Sequence, residues 1–143
     1  MVRLLLPVDG AEDSLVAVRY AAGFAAAIRG GAGCEIHLLN VQPPLPPAVR
    51  RFIERDDARG FFEEEGRKAL EPAEAILKEA GVAHEAHIAV GNVAQTIVDY
   101  ASEHACDQIV MRMRNHSAIE GLLLGSTTLK VLNLSTVPVT LLK

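Results

Sequence analysis

The sequence predicts an α/β fold, a doubly wound parallel sheet of five strands with helices on both faces, in three layers. Three observations predict it. Short apolar segments alternate with longer segments of helical periodicity, in the order β-α-β-α-β-α-β-α-β. The first apolar segment is nearly continuous rather than alternating, which suits a strand buried on both faces of a parallel sheet. Half of the 143 residues are apolar, enough for one sizeable core, and no repeat, low-complexity tract or second domain interrupts the pattern.

Residues 2–8 are the first strand; Pro7 is tolerated near a strand end, and Asp9-Gly10 closes it. Residues 11–28 are a helix, with Asp13 or Ser14 as possible caps and Leu15, Val18, Ala22 and Ala25 at helical spacing. Its many alanines permit close packing on a sheet, and Gly30-Gly31-Ala32-Gly33 stops it. Residues 35–41 are the second strand. The run 42–47, with four prolines, reads as a polyproline-like connector, and 48–60 as a long loop with a short helix in it.

Residues 61–80 are the second long helix, with Leu70, Ala73 and Leu77 on one face and Gly81 as its stop. Pro72 predicts a kink or a new start there. Residues 82–90, less apolar, are a third strand near a sheet edge. A third long helix spans 93–103, with Val93, Ile97, Tyr100 and Ala101 on one face. Residues 107–111 form the fourth strand. A helix over 126–134 follows, with Leu129 and Leu132 inward, and residues 136–142 form the last strand.

Composition narrows the function. The formal net charge is -4 and no basic block stands out, which argues against nucleic acid as a partner. Cys34 and Cys106 have no ligand-like neighbours and read as reduced thiols. No signal-peptide core and no membrane span is present, so the expected location is cytoplasmic. The patterns Gly-x-x-x-x-Gly-Lys-[Ser/Thr] and Gly-x-Gly-x-x-Gly are both absent. His84 and His87 are three apart on a strand and face opposite sides, so no metal site is expected from them. His37 reads as a core histidine. His116 and Ser117 lack a neighbouring acid or cysteine, so no catalytic set is visible.

The stretch from Met111 to Thr127 runs from a strand end into a helix start. Unpaired backbone N–H groups and the helix dipole make such a corner an anion site. Gly125 allows close backbone approach and Ser126 offers a hydroxyl, although the same two residues could simply turn and cap the helix. Arg112 either fills the space a smaller residue would leave or, with Arg114, grips phosphate bidentately.

Pro7-Val8-Asp9-Gly10, Asp13-Ser14, the helix start after Gly91, Gly121-Leu-Leu-Leu-Gly125-Ser126 and Val137-Pro138-Val139 together resemble the universal stress protein family, along essentially the whole chain. The resemblance implies an adenine nucleotide alpha hydrolase-like, Rossmann-like sheet of order 3-2-1-4-5. It implies a nucleotide crevice formed by Pro7, Val8, Asp9, Val41, Met111, Arg112, Arg114, Asn115, Gly125, Ser126 and Thr127. The family's ATP-binding members carry Gly-x-x-Gly, nine residues, then Gly-[Ser/Thr]; Arg112 and Asn115 stand where the first two glycines belong. The resemblance also implies a homodimer through the last strand, at Val137, Pro138, Val139, Thr140 and Leu141. The expected function is a stress-response binding or regulatory module whose crevice binds ATP weakly or not at all. The alternative is a working ATP binder, with magnesium and slow hydrolysis, that uses Asp9, Val41 and the Gly125-Ser126-Thr127 corner.

Overall fold

The computed structural model describes residues 1–28, 33–113 and 125–143. The elements are β1 (Val2–Pro7), α1 (Glu12–Ala27), β2 (Cys34–Gln42), α2 (Pro47–Arg50), α3 (Arg55–Glu79), β3 (His84–Val90), α4 (Val93–Glu103), β4 (Gln108–Arg112), α5 (Ser126–Leu134) and β5 (Val139–Leu142). The strands make one sheet in the expected order β3-β2-β1-β4-β5, and every pairing is parallel.

The continuous apolar run of β1 follows from its central place. Leu4 and Leu6 pack under α1 and α3 on one face, while Leu5 packs under α4 and α5 on the other. The small residues of α1, Ala17, Ala21 and Ala25, are almost fully buried, so this helix sits close on the sheet. On the opposite face Ile97, Ala101, Ile109 and Val131 form the second core. Among the described residues, no helix is long and apolar enough to cross a membrane.

Several expectations are corrected. The connector after β2 contains the single turn α2, and α3 begins at Arg55 rather than at 61. It runs through Pro72 without a new start. Proline removes one hydrogen bond, at about 3 kcal/mol in a helix interior. Here Pro72 and Lys68 are both exposed, so water can reach the carbonyl left unpaired, while Leu70, Ala73 and Leu77 hold the helix on the sheet. The phase of α5 also differs. Thr128 and Val131 are buried, whereas Leu129 and Leu132 are 46% and 38% exposed. Shifting the inward pair by one residue turns it about 100° round the helix axis.

The start of α1 is not capped by Asp13 or Ser14, which lie inside its first turn. Instead the Ala11 N–H donates to Asp9 Oδ1 at 2.9 Å, and the Ser14 hydroxyl donates to the Ala11 carbonyl at 2.9 Å. Gly10 has φ +86°, a left-handed geometry that a side chain resists. It lets the chain turn sharply off β1.

A polar cluster interrupts the α4 face of the core. His37 is buried, with Nδ1 2.6 Å from the Tyr100 hydroxyl. Burial pushes the His37 imidazole below its ordinary range, against the pull of Glu35, and pushes the Tyr100 phenol up. Arg3 Nε donates to Glu35 Oε2 at 2.9 Å, and this bond holds the Glu35 carboxyl below its usual range. Cys34 and Cys106 are both free and buried; burial raises the Cys106 thiol to about 11. His84 and His87 do face opposite sides. His84 Nε2 lies 3.9 Å from Glu74 of α3, whereas the His87 ring centre lies 5.3 Å from that of Tyr100 on α4.

Candidate functional site

The C-terminal ends of β1, β2 and β4 converge with the N-terminus of α5 around a cavity of about 380 Å³. Pro7, Val8 and Asp9 reach it from β1, Val41 from β2, Met111 and Arg112 from β4, and Gly125, Ser126 and Thr127 from the start of α5. Every described residue of the expected nucleotide crevice therefore lines one space. Arg114, Asn115, His116, Ser117 and Gly121 lie outside the described residues.

The corner is built as an anion site requires. Gly125 is the N-cap of α5, with no side-chain cap bond. Among the described residues, the first-turn N–H groups of α5 have neither an intrahelical acceptor nor a capping side chain. Ser126, Thr127 and Thr128 all border the cavity.

Asn40 was missed by sequence reasoning. It is buried at the end of β2, where its amide donates to the Val8 carbonyl at 2.8 Å. Gln42 donates to Asn40 Oδ1 at 2.6 Å. The first bond ties the ends of β1 and β2 together, and the second, within β2, holds the Asn40 amide in place at the cavity lining. The signal available is a polar residue at the C-terminal end of a strand, next to Val41 and facing the crevice.

Asp13, a possible cap by sequence, has a different partner. In the fold it faces Arg112 across the cavity, with Arg112 Nη1 3.3 Å from Asp13 Oδ1. Among the described residues, the buried Arg112 Nε has no hydrogen-bond partner. The guanidinium thus lies over the cavity, held at one nitrogen and unpaired at another.

The residues of the expected dimer edge run along the outside of the sheet. Val137 and Val139 pack partly on the α4 face, Pro138 is exposed, and Thr140 and Leu141 are half-buried. The Thr140 hydroxyl donates to Gln108 Oε1 at 2.7 Å, which fastens β5 to β4.

A doubly wound parallel sheet with a crevice at its strand ends and a glycine-led helix start defines the class: an α/β protein of the open-sheet type whose crevice lies at the switch point. The family model for the universal stress protein family matches residues 1–143. The universal stress protein YxiE of Bacillus subtilis is 36% identical over 88 residues, 62% of this chain and 60% of that protein. The universal stress protein Slr1230 of Synechocystis is 39% identical over 70 residues, 49% of this chain but 24% of that protein. The match therefore spans less than two thirds of either relative. The universal stress protein MJ0531 of Methanocaldococcus jannaschii is 27% identical over 141 residues, 99% of this chain and 81% of that protein.

Among solved structures, hypothetical protein MJ0577 superposes with a TM-score of 0.78 at 26% identity, covering 99% of this chain and 94% of the other. A universal stress protein in complex with cAMP gives a TM-score of 0.73 at 25% identity, covering 99% and 97%. The universal stress protein from Archaeoglobus fulgidus in complex with dAMP gives a TM-score of 0.71 at 22% identity over 100% and 98%, a likeness of fold. The chain belongs to the universal stress protein family.

Proposed function

We propose that this protein is a dimeric regulatory module whose crevice takes an adenine nucleotide, with affinity weakened by Arg112. The Arg112–Asp13 pair over the cavity carries the proposal. Its side chains are 29% and 42% exposed, so the pair itself is worth at most ~1 kcal/mol. A phosphate offering a charge-assisted bond, worth ~1.5–3 kcal/mol, competes well for the guanidinium. Electrostatics alone would not abolish binding.

Space is the stronger term. A cavity of about 380 Å³ sits at the small end of ligand sites, which run roughly 300–1,000 Å³. The long side chain of Arg112 stands where ATP-binding relatives keep a glycine. A nucleotide has to displace that side chain as well as recruit its charge. The complexes of two relatives with cAMP and dAMP support an adenine nucleotide as the ligand class.

The test is titration calorimetry with AMP, cAMP and ATP, the last with and without magnesium. The proposal predicts wild-type dissociation constants of roughly 0.1–1 mM, weakened further in Ser126→Ala. No binding in the wild type and none in an Arg112→Gly, Asn115→Gly double variant would reject it.

A second reading, a full-strength ATP binder, is favoured by the retained Gly125-Ser126-Thr127 corner. Micromolar wild-type affinity for ATP, lost in Asp9→Ala or Ser126→Ala, would establish that reading instead. The same reading of the family supports a homodimer through β5. Leu129 and Leu132, one turn apart, leave exposed apolar surface on one face of α5, the helix that leads into β5, which suits a covering subunit.

A further inference from the structure

A second group of side chains lies away from the crevice, toward the start of the strands. The register of β2 on β3 pairs His37 with Glu85 and Leu39 with His87, and residues two apart on a strand share a face. His37, Glu85 and His87 therefore emerge on one side of the sheet, beneath the C-terminal end of α4. One ligand atom from each lies within 4.8 Å of the other two. Glu85 Oε2 is 3.3 Å from His87 Nε2 and 3.7 Å from His37 Nδ1. Donor atoms bound tetrahedrally to one zinc, at ~2.0–2.2 Å each, lie about 3.3–3.6 Å apart. Two of the three spacings are already close to that value.

We propose that His37, Glu85 and His87 form a site for one divalent transition-metal ion of the zinc class. The donor set is two imidazole nitrogens and one carboxylate oxygen, which suits zinc, cobalt or nickel rather than magnesium or calcium.

The outer contacts fit the same assignment. The second nitrogen of His37, Nε2, is buried and has no hydrogen-bond partner among the described residues. It lies 3.5 Å from Glu35 Oε2, and Arg3 holds that same oxygen at 2.9 Å. A metal-bound imidazole characteristically donates its other N–H to a carboxylate, which fixes its tautomer and strengthens it as a ligand. Glu35 stands where such a carboxylate belongs, and it accounts for a buried nitrogen otherwise left short of a bond.

The Tyr100 hydroxyl contacts His37 Nδ1 at 2.6 Å, and an ion would replace that bond. Leaving the buried Tyr100 hydroxyl without that partner costs ~1–3 kcal/mol, a smaller term than coordination by three ligands. The Glu85 and His87 side chains are 54% and 40% exposed, so an ion can enter from solvent and keep a water in its fourth position.

The experiment uses untagged full-length protein, stripped with chelator and titrated with zinc chloride in a calorimeter at neutral pH. The proposal predicts one ion per chain with micromolar or tighter affinity. His87→Ala and Glu85→Gln, at half-exposed positions that fold readily, each weaken it by at least ~10-fold. His84→Asn, on the opposite face, leaves it unchanged. Cobalt in place of zinc gives visible bands that the same two variants remove. Affinity weaker than millimolar, affinity unchanged in both variants, or affinity lost in His84→Asn would each overturn the proposal.

Discussion

Arg112 and Glu35 each have a charge partner, and exposure decides what those partners do. Arg112 meets Asp13 at 3.3 Å where both are part-exposed, so the pair is weak and exchangeable. Glu35 is less exposed, at 21% of its side chain, and is bonded to Arg3 at 2.9 Å. Its folded-state pKa is lowered, chiefly by that bond. A carboxyl depressed on folding adds stability above its unfolded pKa, about 4.3, and loses it as pH falls through the folded value. Glu35→Gln is therefore expected to be less stable than wild type at neutral pH, with the gap closing in acid below pH ~4.3. Urea unfolding of both proteins at pH 7 and at progressively lower pH checks this; a gap independent of pH would contradict it.

At the scale of elements, two helices end in the same way with different residues. In α3, Gly81 sits just past the C-cap with φ +69°, and the Val82 N–H bonds back to the Leu77 carbonyl. In α4 the equivalent residue is Ala105, with φ +51°, and the Cys106 N–H bonds back to the Ala101 carbonyl. Both are six-to-one closures, which ask for a left-handed residue. A Cβ in that geometry costs ~1–2 kcal/mol, partly offset by the greater chain entropy a glycine loses. Ala105→Gly is expected to raise stability by ~0.5–1 kcal/mol, read as a higher denaturant midpoint at constant slope. A lower midpoint would contradict the strain argument. Gly81 as a stop was legible in the sequence, as were the strands and the apolar faces of α1 and α4, because each rests on local periodicity. The inward phase of α5 was not. Leucines at 129 and 132 outrank Thr128 and Val131 in hydrophobicity, and only the packing against α4 selects the latter pair. At Pro72 the break is overridden for the same reason: Leu70, Ala73 and Leu77 hold α3 on the sheet, so no new helix starts there.

For the whole molecule, the sheet has two edges, β3 and β5. The β5 edge presents unpaired strand groups, and a homodimer paired through it is the expected way to cover them. Light scattering at micromolar concentration is expected to give twice the 15.3 kDa of one chain, and a single-chain mass would contradict it. The turns that border this cavity leave local marks in the sequence: Asp9-Gly10 after β1 and Gly125-Ser126 before α5. The sequence did not disclose the Asp13–Arg112 contact, which depends on how α1 packs beside β4, or the His37–Glu85–His87 group, which depends on the register of β2 on β3; both join residues about fifty or more apart. Whether Arg112 weakens nucleotide binding is read from one calorimetric comparison. AMP and ATP are titrated into wild type and into the Arg112→Gly, Asn115→Gly double variant under identical conditions. Weak wild-type binding that tightens by ~10-fold or more in the double variant is the predicted result. Equal affinity in the two proteins, whether strong or absent, would contradict it.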